Sequence, residues 1–229
     1  MKPEMFIVIL AGLTHATLQL GVGTLLLLYH ASLGKHIRRK TREIATNFIL
    51  GNALLTGLAV SAACFVVFVV CGGEMNPAML TIVVGILLAL AVSIWAFYYR
   101  LGKSTELWLP KSVVRYINKR AKLTESNTES FGLGMLACFV EAPFTLILIL
   151  VAANSVLGLP QGLQILAVAI YTILSILPLI VLRIAVRKGQ TVVDIQKWRI
   201  KNKNFIRIIS GVGFAVLAVF LLAFKVLGA

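Results

Sequence analysis

The sequence predicts an all-α, polytopic membrane protein: six transmembrane helices in two inverted three-helix repeats, with both termini outside. Three observations carry this. Hydrophobic residues make up 59% of the 229-residue chain, more than the roughly half found in soluble domains. They collect in stretches of about 20 residues, the length that crosses a ~30 Å hydrocarbon core. Twenty of the 22 Lys and Arg fall in three connecting loops, each of which follows an odd-numbered span. Bases stay on the cytoplasmic side, so loops one, three and five are expected inside. Loops two and four and both ends are expected outside.

The first span is expected at 6–29. Thr14, His15, Thr17 and Gln19 interrupt it, followed by Gly21 and Gly23. Its start is nearly neutral and its apolar run too long for a cleaved signal peptide. Loop one carries Lys35, Arg38, Arg39, Lys40 and Arg42. The second span, about 44–70, places Ala53, Gly57 and Ser61 at intervals of four, a spacing that admits a close neighbour. Asn52 is a strongly polar side chain within it. Cys71 to Pro77 reads as a tight turn, and the third span follows at 78–98, ending in Trp95 and Tyr98.

Loop three, 100–130, is the longest. Within it, 111–123 puts Val113, Val114, Ile117 and Ala121 near one face and bases elsewhere. That pattern predicts an amphipathic helix on an anionic membrane surface. Ser126 and Glu129 have capping-box spacing at the head of the fourth span. The fourth span ends near Ala153, the fifth is expected at 162–182 with Pro178 near its end, and the sixth at 208–227 with Lys225 near its end. The chain is thus one integral domain over 1–229: repeat one at 6–98, a cytoplasmic linker at 100–130 and repeat two at 131–227.

The charge pattern also excludes functions. A net charge of +14 that is confined to alternate loops is topology, not a nucleic-acid-binding face. There is no nucleotide-binding loop, metalloprotease motif or nucleophile elbow, so enzyme chemistry other than thiol redox is not expected. No cofactor is indicated. Cys64, Cys71 and Cys138 lie in apolar segments without a CxxC, so no zinc site or disulfide framework is indicated.

Glu141 is the acid within an expected span. A carboxylate at bilayer depth costs roughly 2.5–3.5 kcal/mol on an insertion scale for Asp, so it needs a partner or a purpose. Pro143 removes a backbone donor two residues on, and a helix break is expected there. His15 and Glu141 each lie about ten residues into their spans from opposite sides, about 14–15 Å deep. Span one therefore offers Thr14, His15 and Gln19 at the depth where span four offers Cys138, Glu141 and Thr145. Two opposed polar stripes at one depth predict a lined cavity.

Six spans, inverted 3+3 repeats, polar first and fourth spans and the FVEAPF stretch at 139–144 resemble the lysine-exporter (LysE) superfamily. The related CcdA/DsbD thiol-electron carriers share the plan. The chain lacks the Pro-Gly-Pro stretch typical of the amino-acid exporters in span one, and lacks the span-one cysteine of the thiol carriers. The resemblance implies a multi-pass protein of the plasma (inner) membrane that exports a small solute or cation.

Three functions are therefore expected to compete. In a secondary transporter, Glu141 binds a proton or cation, His15 is its partner, and Gln19, Thr14, Thr145 and Asn52 are neutral contacts. Histidine titrates near neutrality and suits proton coupling; soft metals would accept His15 and Cys138. In a thiol-redox carrier, Cys64 and Cys138 form the pair. In a scaffold, Glu141 only pins spans one and four together, and the basic inner face holds anionic lipid or a partner.

Overall fold

The computed structural model describes residues 3–18, 21–32, 38–97, 111–188 and 190–228. Their secondary structure is helical. Helices α1 (Pro3–Thr17) and α2 (Gly21–Ser32) occupy the first apolar stretch, followed by α3 (Arg38–Cys71) and α4 (Pro77–Phe97). Then come α5 (Lys111–Leu123), α6 (Asn127–Leu157), α7 (Gln161–Ser175), α8 (Leu177–Arg187), α9 (Val192–Lys201) and α10 (Lys203–Leu221). A π-helical turn, Leu222–Val226, closes the chain. Four helical stretches are long and apolar enough to cross a membrane: Arg39–Cys71, Pro77–Ala96, Asn127–Leu157 and Lys203–Val226. Two further pairs, α1 with α2 and α7 with α8, are bent by 48° and 50° and bring the number to six if each pair is one span. Phe65 (69% exposed) and Ile165 (83%) stand on the outside of these helices. Such an apolar surface fits an integral membrane protein.

Local signals explain several boundaries. Ser126 caps α6 by accepting from the Glu129 N–H, and Glu129 answers by accepting from the Ser126 N–H, the capping box that its spacing predicted. The α3–α4 turn uses Gly72 (φ 72°) and Gly73 (φ 113°), backbone angles that disfavour other residues. α5 forms over the expected stretch, but part of its apolar stripe is covered by protein. Ile117 and Ala121 are buried among Leu25, Phe48 and Leu133. Its basic residues Arg115, Lys119 and Lys122 are exposed, as are Tyr116 and Leu123.

The helix breaks do not fall where they were expected. α6 continues through Pro143 without interruption. Pro143 lies on an exposed flank, where losing one backbone donor and easing its ring outward leaves the neighbouring helical bonds in place. The observed breaks lie between α1 and α2 and at Ile176, between α7 and α8. They do not occupy matching spans of a 3+3 repeat.

α3 and α6 make the most extensive helix–helix contact. They run parallel: Ser130 Oγ donates to Ile44 O, Asn52 Nδ2 to Gly134 O, and Cys64 Sγ to Ala153 O, in rising order along both helices. Two glycines permit the approach. A Cβ on Gly51 would strike the Phe131 carbonyl, and one on Gly134 the Phe48 carbonyl.

One end of the bundle gathers α1's start, the α3–α4 turn, the end of α6 and the chain's last helical turn. Lys225 Nζ lies 3.3 Å from Glu4 Oε1 and 3.8 Å from Glu74 Oε1. The Met75 N–H donates to Asn154 Oδ1. These are the segments expected on one side of the membrane. Two apolar cores share the interior. One holds Ile7, Val60, Leu148 and Tyr171; the other holds Leu25, Phe48, Leu133 and Leu179. On α3, Asn52 and Thr56 fall between the two sets; on α6, Cys138, Glu141 and Thr145 do the same. A buried polar layer therefore separates the cores.

Candidate functional site

The layer centres on the gap between α1 and α2. α1 ends at Thr17, so the helical face expected to join His15 to Gln19 is cut short; Gln19 itself lies outside the described residues. A helix that restarts at Gly21 presents backbone N–H groups with no partner in the preceding turn. Glu141 meets that need. Its Oε1 accepts from the Gly21 N–H at 2.7 Å. The bond is charge-assisted when the carboxylate is ionised, and a helix start favours negative charge. A side chain on one span thus caps a half-helix of another. Glu141 and His15 are both 1% exposed.

His15 joins the same node from the end of α1. Its Nε2 lies 4.0 Å from Glu141 Oε2, and its Nδ1 lies 2.9 Å from Tyr171 Oη on α7. When the tyrosine O–H donates to Nδ1, the imidazole N–H sits on Nε2 and faces the carboxylate. The order Tyr171, His15, Glu141, Gly21 then links α7, α1, α6 and α2. Each member sits where its neighbour's polar atom would otherwise be stranded in an apolar interior.

The other expected contacts sit at varying removes. Asn52 lies beside the node: its Nδ2 bonds Gly134 O at 3.4 Å and would be 3.7 Å from a Cβ on Gly21. Thr145 Oγ1 donates to the Glu141 carbonyl of its own helix. Thr14 turns away, donating to Leu10 O and packing on Gly213 of α10. Cys138 Sγ lies 3.3 Å from Thr56 Oγ1. Among the described residues no three His, Cys, Asp or Glu side chains converge as metal ligands.

The cysteine geometry bears on redox chemistry. Cys64 lies two turns beyond Thr56 on α3, about 12 Å by helix rise, while Cys138 is beside Thr56. Cys64 faces Ala153 instead, at 3.8 Å from its carbonyl. A disulfide needs Cα atoms within about 7 Å, and the parallel register of α3 and α6 keeps this pair further apart.

Sequence reasoning missed Gly21, Tyr171 and Thr56. The run of polar residues ending in Gly21-Val22-Gly23 was the available signal for the first. It also missed a cleft of about 830 Å³ that reaches the same break. Thr17 and Val22 wall it from α1 and α2, Val181 from α8, Trp198 and Arg199 from α9, and Ile209 from α10. Neither Glu141 nor His15 lines it. Comparison of the chain with protein-family models, curated proteins and solved structures gives no match.

Proposed function

We propose that this protein is a secondary transporter of a small solute or cation, with six spans in the plasma membrane, and that Glu141 couples its conformation to a bound proton or cation. The resemblance to the lysine-exporter superfamily belongs to the same proposal. The observation that carries it is the 2.7 Å bond from the Gly21 N–H to the Glu141 carboxylate. Charge-assisted hydrogen bonds are about twice as strong as neutral ones. Neutralising Glu141 by a proton or a cation therefore weakens its grip on α2. Each 1.4 kcal/mol so lost shifts the balance between two positions of the half-helix by about tenfold. His15, at 4.0 Å, is placed to receive or return the proton, and Tyr171 fixes its ring.

Proteoliposomes with an internal pH indicator, a pH gradient and a panel of monovalent and divalent cations test this. Wild-type protein is expected to exchange protons for one of them. Glu141→Gln is expected to abolish exchange, with Glu141→Asp keeping part of it.

A scaffold is the second reading, favoured by the near-complete burial of both Glu141 and His15. Under it, Glu141→Gln leaves ion and proton flux unchanged and lowers only the melting temperature.

A further inference from the structure

The cleft beside the break has a chemistry unlike that of the polar layer. Its walls are mostly apolar: Val22, Leu177, Val181, Ile206 and Ile209 supply much of the surface. Apart from Thr17 of α1, its polar groups lie on α9 and the segment leading to it, among them Gln190, Asp194 and Arg199. Asp194 is occupied at the start of α9, where it accepts the Thr191 hydroxyl at 2.6 Å. Arg199 makes no ion pair among the described residues. Its guanidinium reaches to within 3.9 Å of a Cβ placed on Gly23 of α2. The same stretch of sequence also carries Arg183, Arg187, Lys188, Lys197, Lys201, Lys203 and Arg207, against Asp194 as its acid; of these bases and Arg199, Arg199 is the one that lines the cleft. Trp198 is 57% exposed beside Arg199, as an interfacial anchor would be.

An apolar slot lined by one guanidinium with no ion pair among the described residues, in a base-rich stretch of the chain, matches a molecule with a hydrocarbon tail and an anionic head. A water-filled passage would not be walled this way. The volume lies within the range of small-molecule sites, and basic pockets between helices at a membrane face are suited to anionic head groups. We propose that this cleft binds one anionic phospholipid, its phosphate on Arg199 and an acyl chain between α8 and α10. Thr17 and Val22 flank the break that Glu141 caps, so the bound chain would press on the same hinge. The binding itself is independent of whether Glu141 carries a cation.

The test is native mass spectrometry of the full chain in detergent, titrated with dioleoylphosphatidylglycerol, dioleoylphosphatidylcholine or glycerol 3-phosphate. One phosphatidylglycerol per chain is expected to bind ahead of phosphatidylcholine. Arg199→Gln is expected to weaken phosphatidylglycerol binding about fivefold, the effect of one base near a membrane surface. Lys122→Gln, an equal charge change on α5, is expected to leave it unaltered. Ile209→Trp, which fills the slot, is expected to remove bound lipid of either head group. Size-exclusion profiles matching wild type identify folded variants. Equal weakening by Arg199→Gln and Lys122→Gln would make the effect diffuse charge and overturn the site. So would glycerol 3-phosphate competing as well as the lipid, or Ile209→Trp retaining it in folded protein.

Discussion

Two apolar stretches of this protein are broken, and each break is healed differently. At Ile176 the chain repairs itself. The Ile176 N–H donates to Thr172 O at 3.2 Å, the Leu179 N–H to Ile176 O at 3.0 Å, and Ser175 Oγ to Thr172 O at 2.8 Å. Pro178 sits in the first turn of α8, where a missing N–H removes a donor that would be orphaned in any case. The end of α1 also closes locally, Leu18 N–H donating to His15 O at 3.0 Å and Thr17 Oγ1 to Thr14 O at 2.7 Å, but the partner of the Gly21 N–H at the start of α2 is Glu141, 120 residues away. A break closed by local backbone bonds is indifferent to charge. A break closed by a remote carboxylate depends on that carboxylate's state and on the helix that carries it. Only the second kind suits a switch.

The sharpest way to break the contrast is Glu141→Leu. It removes the acceptor and leaves the Gly21 N–H in an apolar interior, with an expected stability loss of about 3 kcal/mol. Hydrogen exchange in detergent micelles should show at least about tenfold loss of protection over residues 21–24. Protection over 176–180 should hardly change. Equal loss at both breaks would mean that Glu141 stabilises the whole bundle rather than one half-helix.

Gly134→Ala attacks the platform instead. The new Cβ meets the Phe48 carbonyl, so α6 must move away from α3. Overpacking of this kind is expected to cost about 2 kcal/mol. Because Glu141 rides on α6, the first break should loosen with it while the second does not. A thermal melt combined with exchange at the two breaks checks this. Unchanged stability would show that the two helices can separate freely.

The difference between the breaks also explains what could be read from the sequence. Features whose causes are local were legible: the capping box at Ser126 and Glu129, the glycine turn after Cys71, and apolar runs of spanning length. That Glu141 and His15 share one level was legible too, since helix rise sets each one's place along its helix, and the two do meet. The break at Gly21 was signalled only by the polar residues and glycines around it, because its stabilising partner is remote in sequence and the run is otherwise apolar enough for an unbroken span. Pro143 misled for the converse reason: its local chemistry argues for a break, yet α6, packed closely along α3, keeps the helix whole. Tyr171 sat unremarked in span five because no spacing rule links it to His15. The separation of Cys64 and Cys138 follows from the same arithmetic of helix rise, since the expected topology makes spans two and four parallel and sets the two cysteines at different levels.

The smallest expected effect completes the comparison. Pro178→Ala restores a backbone donor in the first turn of α8 and frees one φ angle in the unfolded chain. The first change adds little, since a first-turn N–H has no partner within its helix. The second costs roughly 0.4–1 kcal/mol through unfolded-state entropy. The bonds at Ile176, Leu179 and Ser175 do not involve the proline nitrogen, so the bend should persist. A spin label on each side, at the exposed positions Ile173 and Ile184, should report the same separation before and after the substitution. Straightening, seen as a lengthened distance, would make the proline the cause of this break. The second break would then depend on one residue just as the first depends on Glu141, and the distinction between a fixed bend and a charge-held one would vanish.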